Sequence, residues 1–317
     1  MVPLNSKDMR KDTYIPEMSP KVESGKGNFL RRVEPFWASP RPRLVMHSKS
    51  FEYSISLQGQ RWRLGRHRDN DIIVPDRWVS RHHALLECTP GGFSFSDLGS
   101  YNGSFVNHRR IDQEVVLQTG DWLAIGHTDF SFLYPVTTAV LLAESTSKPP
   151  VVIRKPPVVA LAQSAKAQGE IWREILSSQG ISVLWVGAGL KPTEILAHLQ
   201  ALGQPQPDLL LIDIGSCEEN PFDFCDWFRQ TYPNLEVILT AHVRSYVLEA
   251  ESRWAKRQGA KEFFPGFNKD SLRADLDMIA ERVALILEVL NLPSVDLVAL
   301  EFTLSGLQSA HVRETLH

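Results

Sequence analysis

A run of prolines between Ser145 and Pro157 divides this chain into two stretches whose apolar residues keep different periods. Ser145-Thr146-Ser147-Lys148-Pro149-Pro150 is followed by Lys155-Pro156-Pro157. Prolines at that density continue neither a helix nor a central strand, which places a Pro-rich linker over residues 136–156. Before it, over 43–135, short apolar stretches alternate with turn signals: Asp69-Asn70-Asp71, Pro90-Gly91-Gly92, Asn102-Gly103 and Thr119-Gly120-Asp121. Phe93 and Phe95 alternate with Ser94 and Ser96, the period of a half-buried strand. Many short strands at this spacing predict an all-β antiparallel sandwich.

After the linker the period lengthens. Over 157–291, five short apolar runs alternate with helical patterns: Val158–Ala162, Ile181–Val186, Leu209–Ile212, Val237–Leu239 and Glu262–Phe264. That alternation predicts an α/β, doubly wound parallel sheet. Its last helix carries Leu272, Leu276, Ile279, Val283, Ile286 and Leu290, one stripe that faces a core or, alternatively, a partner helix. Residues 1–42, rich in Lys, Arg, Ser, Pro and Gly, read as a disordered tail. Residues 292–317 read as a C-terminal tail, although Leu300, Phe302 and Leu304 alternate between helical flanks.

Composition excludes several function classes. With 317 residues, 43% of them hydrophobic, one or two ordinary domains fit. A net charge of -3 argues against a nucleic-acid binder that relies on overall positive charge. No apolar run approaches the roughly 18 residues that span a bilayer, and the polar start has no signal-peptide core. A cytoplasmic protein that binds neither nucleic acid nor membrane is therefore expected. Cys88, Cys217 and Cys225 match no zinc spacing and read as small buried apolar side chains. No nucleophile–base triad, Walker loop or dinucleotide fingerprint is present. The expectation is a non-enzyme without metal or cofactor.

The first stretch gathers polar residues in three loops: Gly65-Arg66-His67-Arg68, Ser80-Arg81-His82-His83, and Tyr101-Asn102-Gly103-Ser104-Phe105-Val106-Asn107. Arginine offers forked, permanent donors, and a hydroxyl with backbone N–H groups completes an anion cradle. A phosphorylated residue, with about two negative charges and three acceptors, suits that set. Taken singly, Arg66 also reads as a solvated arginine and Asn102-Gly103 as a type I′ turn.

Gly-Arg, then Ser-x-x-His, then Asn-Gly-Ser-x-x-Asn, in that order within 43–135, resembles a forkhead-associated (FHA) domain. The resemblance implies phosphothreonine binding by Arg66, Ser80, Arg81, Tyr101 and Asn102. Arg66 and Ser80 would contact the phosphate, Arg81 would add charge, and Asn102 would hold the peptide main chain. Tyr101 stands where the family often has threonine. Gly65, His83, Gly103 and Asn107 would support the site.

The second stretch resembles a response-regulator receiver domain, with a flavodoxin-like fold. Pro207-Asp208-Leu-Leu-Leu-Ile-Asp213 is similar to the third strand ending at the phosphoacceptor, Leu239-Thr240-Ala241 to the fourth, and Gly259–Phe264 to the fifth. The family's acidic pair is replaced by Gln163-Ser164, and Phe264 is followed by Pro265-Gly266-Phe267, with Lys269 further on. A start at Val183 leaves the acidic position equally empty, at Gly187-Ala188. The resemblance therefore implies a degenerate receiver used for docking a second protein or another copy of itself. Asp213 reads as a carboxylate capping a turn or helix, ahead of the reading as a phosphoacceptor. Together the expectation is a bacterial signalling adaptor whose ligand is a Ser/Thr-kinase substrate; a response regulator switched at Asp213 is the alternative.

Overall fold

The computed structural model describes residues 41–48, 51–134, 156–186, 192–201, 203–204, 206–217 and 221–315. The expected tail over 1–42 (apart from Arg41 and Pro42) and the expected linker over 136–156 (apart from Pro156) lie outside them, as does Gly187-Ala188.

Eleven strands build the first stretch. They are β1 (Arg43–His47), β2 (Phe51–Ser56), β3 (Arg61–Gly65), β4 (Ile72–Ile73), β5 (Ala84–Thr89), β6 (Gly92–Asp97), β7 (Ser104–Val106), β8 (Arg109–Ile111), β9 (Val115–Val116), β10 (Trp122–Ile125) and β11 (Thr128–Leu133). Strands β4-β3-β5-β6-β9 form one sheet, and β2-β1-β11-β10-β7-β8 belong to the other. Alternate residues turn inward, as the pleat dictates. Trp62, Leu64, Leu86, Phe93, Phe95, Leu123, Phe130 and Phe132 are all buried in the shared core.

The second stretch supplies β12 (Val158–Ala162), α1 (Lys166–Ser178), β13 (Ser182–Val186), α2 (Pro192–Ala201), β14 (Leu209–Asp213), α3 (Pro221–Thr231), β15 (Glu236–Ala241), α4 (Glu249–Gln258), β16 (Glu262–Pro265), α5 (Leu276–Val289) and α6 (Leu297–Thr315). Its five strands are parallel in the order β13-β12-β14-β15-β16. Alternation again sorts the side chains. Val159, Leu161, Leu209 and Leu211 meet α1, α5 and α6, whereas Ala160, Leu210 and Ile212 meet α2, α3 and α4. The stripe of Ile279, Val283 and Ile286 is spent on this core. The reading of 292–317 as a tail is corrected: α6 occupies most of it, because Leu300 and Leu304, one helical turn apart, are fully buried beside α5.

The two stretches share one sheet. Strand β13, the outermost of the parallel five, pairs antiparallel with β2, with Val183 opposite Ser54 and Val186 opposite Phe51. The result is an eleven-stranded sheet that leaves no open edge at β13 or β2. Its registers bring Ser104, Ile125, His47, Phe51, Val186 and Asp213 to one edge of that sheet.

Buried charges seal the junction. Arg43 on β1 donates to Glu174 on α1 at 2.6 Å, and both side chains are almost wholly buried. Arg173 bonds the other Glu174 oxygen at 3.0 Å and also pairs with Glu52 on β2. Burial pushes the Glu52 carboxyl up, but the His47 hydrogen bond and the Arg173 charge outweigh it and hold it near about 2. Ser54 meets the Ser177 hydroxyl at 3.2 Å, and the Ser56 N–H donates to Ser182 Oγ at 3.1 Å.

Candidate functional site

The three polar loops converge at one end of the sandwich. Gly65 closes β3 because nothing larger fits: a Cβ there would lie 2.3 Å from the Arg81 carbonyl oxygen. This close approach lets the Arg66 N–H donate to the Ser80 carbonyl at 3.0 Å and the His67 N–H to the Arg81 carbonyl at 3.1 Å. The loop carrying Arg66 and the loop carrying Ser80 are thus laced together through their main chains. Asn70, buried beneath, donates to both the His67 and Arg81 carbonyls at 2.7 Å.

His83 is fully buried and ties the second loop to the third. Its Nδ1 faces the Ser80 N–H at 2.9 Å and its Nε2 faces the Gly103 carbonyl at 3.2 Å. A nitrogen facing an N–H must accept and one facing a carbonyl must donate, so this ring is neutral with its proton on Nε2. Burial lowers its pKa below the usual histidine value, against the raising effect of the Gly103 bond and the Asp97 charge.

The third loop is built on Asp97. Its carboxylate takes the Ser100 N–H at 2.7 Å and the Ser100 and Ser104 hydroxyls at 2.6 Å each. Burial raises this group, but the serine hydrogen bonds prevail and keep it below the ordinary aspartate value. So anchored, Tyr101 points its N–H at Ser80 Oγ, 3.1 Å away, while its ring is 90% exposed. The serine hydroxyl, already accepting from Tyr101, keeps its proton for an outside acceptor.

Asn102 donates through Nδ2 to the Trp78 carbonyl at 2.6 Å, and its Oδ1 accepts no hydrogen bond among the described residues. An unspent carbonyl oxygen of this kind suits the N–H of an extended peptide. Gly103 sits at φ +79°, a conformation that favours glycine, beside the guanidinium of Arg110. The positive-φ hairpin turn lies farther on, at Asn107 and His108, between β7 and β8. Asn107 braces it, donating to Asp121 at 2.8 Å and accepting the Trp122 N–H at 2.9 Å.

Arg66, Arg81 and Tyr101 are exposed around Ser80, and Asn102 is half-buried beside them. Asn70, Trp78 and Asp97 were missed as site residues. Asn70 was legible only as a turn former, and the carbonyl role of Trp78 has no side-chain signature.

At the C-terminal ends of the parallel strands, Asp213 is fully buried. Its Oδ2 takes the Ser164 hydroxyl at 2.5 Å and His242 Nδ1 at 2.7 Å, and its Oδ1 takes the His242 N–H at 3.1 Å. The expectation that it caps a nearby turn is met at the turn after β15, through the His242 N–H, and not at the short 3₁₀ turn that follows it, Ile214–Ser216, to which it makes no cap bond. It ties β14 to the residues after β12 and β15. Gln163 donates through Nε2 to Thr240 at 2.7 Å, and its buried Oε1 has no hydrogen-bond partner among the described residues. No group of three or more potential metal ligands occurs among the described residues. Cys225 is buried and its thiol is pushed up to about 12 by burial; Cys88 and Cys217 are only half-buried. None of the described helices is long and apolar enough to cross a membrane.

Comparison with known proteins bears on the sandwich. The chain is 49% identical over 70 residues to the ABC transporter ATP-binding/permease protein Rv1747 of Mycobacterium tuberculosis, covering 22% of this chain and 8% of that protein. It is 42% identical over 87 residues to the transcriptional regulatory protein EmbR of the same species, 27% and 22% of the two lengths. Against the glycogen accumulation regulator GarA of Mycolicibacterium smegmatis it is 44% identical over 69 residues, 22% and 43%. The chain thus spans less than half the length of these curated relatives. Among solved structures, EmbR in complex with a low affinity phosphopeptide matches at 36% identity over 29% of this chain and 24% of that one, with a TM-score of 0.26. A structure of phosphothreonine-dependent FHA domain interactions matches at 26% identity, over 30% and 99%, with a TM-score of 0.28. Residues 62–126 match the family model of the FHA domain, and the loops bearing Arg66, Ser80 and Asn102 belong to that all-β FHA sandwich.

Proposed function

We propose that this protein is a non-enzymatic signalling adaptor that captures a phosphothreonine-containing partner, a Ser/Thr-kinase substrate, through its FHA loops. The observation that carries this is Ser80. Its Oγ accepts the Tyr101 N–H, so its own O–H is left to donate to an outside acceptor, and the neighbouring loop positions Arg66 and Arg81 are both exposed. One phosphate would accept the hydroxyl hydrogen bond and pair with both charges, and each charge-assisted bond contributes about 1.5–3 kcal/mol. Asn102 Oδ1 holds the peptide main chain. Gly65, His83, Gly103 and Asn107 hold the loops in register. The match of residues 62–126 to the FHA model supports the same reading. The test is fluorescence anisotropy with paired phosphorylated and bare threonine peptides. Only the phosphorylated one should bind, and binding should be lost in Arg66→Ala and Ser80→Ala. Equal binding of both peptides overturns the proposal.

The α/β region is, on this reading, a flavodoxin-like degenerate receiver that serves as a docking surface for a second protein or another copy of the chain. The parallel strand order supports it. So does the state of Asp213, whose oxygens take three donors from Ser164 and His242. Gln163 and Ser164 supply amide and hydroxyl where Mg²⁺ chemistry wants carboxylates. Acetyl phosphate with Mg²⁺ should leave the mass of the full-length protein unchanged. A base-labile adduct lost in Asp213→Asn would instead establish a phosphorylated switch.

A further inference from the structure

Apart from Arg109, exposed on β8, the described arginines of the FHA sandwich fall into two groups. Away from the binding loops, Arg43, Arg61 and Arg63 pair with Glu174, Glu87 and Asp71. Around the loops, Arg66, Arg68, Arg77, Arg81 and Arg110 are all exposed, and none meets a carboxylate among the described residues. The carboxylates nearby are occupied lower down. Asp76 accepts the Trp78 and His127 N–H groups, and Asp97 accepts from Ser100 and Ser104. Only Asp69 stands at the rim, 72% exposed, and it faces His67 at 3.3 Å.

A single phosphate dianion uses Arg66 and Arg81. Three cations remain: Arg68 lines a cavity with Ile73 and, on α2, Leu196 and Leu199, and the other two neighbour Asn102. The Arg77 guanidinium lies over the Trp78 ring, 5.2 Å from its centroid, and the Trp78 carbonyl is the group that holds Asn102. Arg110 packs against Gly103, where an added Cβ would come within 2.6 Å of its Nε. Both therefore flank Asn102, the residue assigned to the peptide main chain. A cation held beside a ligand's backbone meets the side chains that project from it.

We infer that the ligand is a phosphothreonine in an acidic segment, with Asp or Glu residues beside the phosphothreonine read by Arg77 and Arg110. This rests on the phosphothreonine reading and narrows it. Exposed ion pairs contribute modestly, and two together correspond to a preference of about fivefold or more. The preference weakens as salt screens it.

The experiment uses the full-length protein and three labelled peptides of equal length. The first has phosphothreonine flanked by Asp and Glu, the second phosphothreonine with those residues changed to Asn and Gln, and the third bare threonine with the acidic flanks. The acidic phosphopeptide should bind about fivefold tighter or more than the neutral one, and that ratio should shrink as salt rises. In an Arg77→Gln, Arg110→Gln variant the two phosphopeptides should bind alike, at the neutral peptide's affinity. Equal affinity of the two phosphopeptides for the unmodified protein overturns this inference and leaves the phosphothreonine reading standing. Failure of both phosphopeptides, or equal binding by the bare acidic peptide, overturns both.

Discussion

The Nδ1 of His83 accepts the backbone N–H of Ser80 at 2.9 Å, so the serine proposed to read the phosphate is positioned by a ring that must stay neutral. Burial lowers the His83 pKa in the folded state, while the unfolded chain titrates near about 6.5. The folded form therefore binds fewer protons over the interval between the two values. Stability is whole above about 6.5 and falls as pH drops from there toward the lowered folded value. Urea unfolding of the free protein between pH 7.5 and 5.5 should show this slope. His83→Ala should abolish it and cost about 2–4 kcal/mol, since Ser80 and Gly103 each lose a partner. The Glu52 carboxylate acts in a separate window, its contribution present above 4.5 and lost as pH falls from there to about 2.

Gly65 and Gly91 should differ sharply. A methyl at Gly65 would sit 2.3 Å from the Arg81 carbonyl oxygen, which is backbone and cannot swing aside, whereas at Gly91 the nearest atom is Thr89 Oγ1 at 3.7 Å. Gly65→Ala should cost about 2–3 kcal/mol and weaken phosphopeptide binding; Gly91→Ala should stay within about 0.5 kcal/mol. Thermal unfolding and anisotropy check both.

Glu174→Ala should be among the most damaging single changes, at about 3–5 kcal/mol, because it strands the buried Arg43 guanidinium. Arg43→Met combined with Glu174→Leu should cost less than Glu174→Ala alone, since apolar groups of similar volume need no partner. Chemical denaturation of the single and double variants measures the coupling.

Asp213→Ala should destabilise the protein by about 1–3 kcal/mol, by leaving the Ser164 and His242 donors unmatched in a buried place. Phosphopeptide affinity should not change. Unfolding and anisotropy on the same preparation separate the two effects.

Much of the binding loop was legible in sequence because its chemistry needs particular side chains at particular spacings. Gly65, Ser80, His83 and Asn102 announce themselves together. The alternation of Phe93 with Phe95 and the all-apolar run Leu209–Ile212 likewise declare a half-buried and a fully buried strand. What escaped were polar residues on buried faces. Ser54 and Ser56 are polar and carry no sign of burial in sequence, yet they meet Ser177 and Ser182 inside the junction. Arg43 and Glu174 carry charges, yet each is the other's reason for being buried. Local patterns carry no record of a partner more than a hundred residues away, so the pairing of β2 with β13 was out of reach. The helix over Leu297–Thr315 was obscured by exposed apolar side chains such as Val298 and Phe302, which blur its period.

That pairing has a mechanical meaning. Six ladder steps separate β7 from β12, roughly 30 Å of hydrogen-bonded sheet at strand spacing. On the proposed function, a cargo held at Asn102 would be carried at a set span from the parallel strands. Lengthening or shortening the segment between Tyr134 and Pro156 leaves that span unchanged, because the yardstick is the ladder and not the tether.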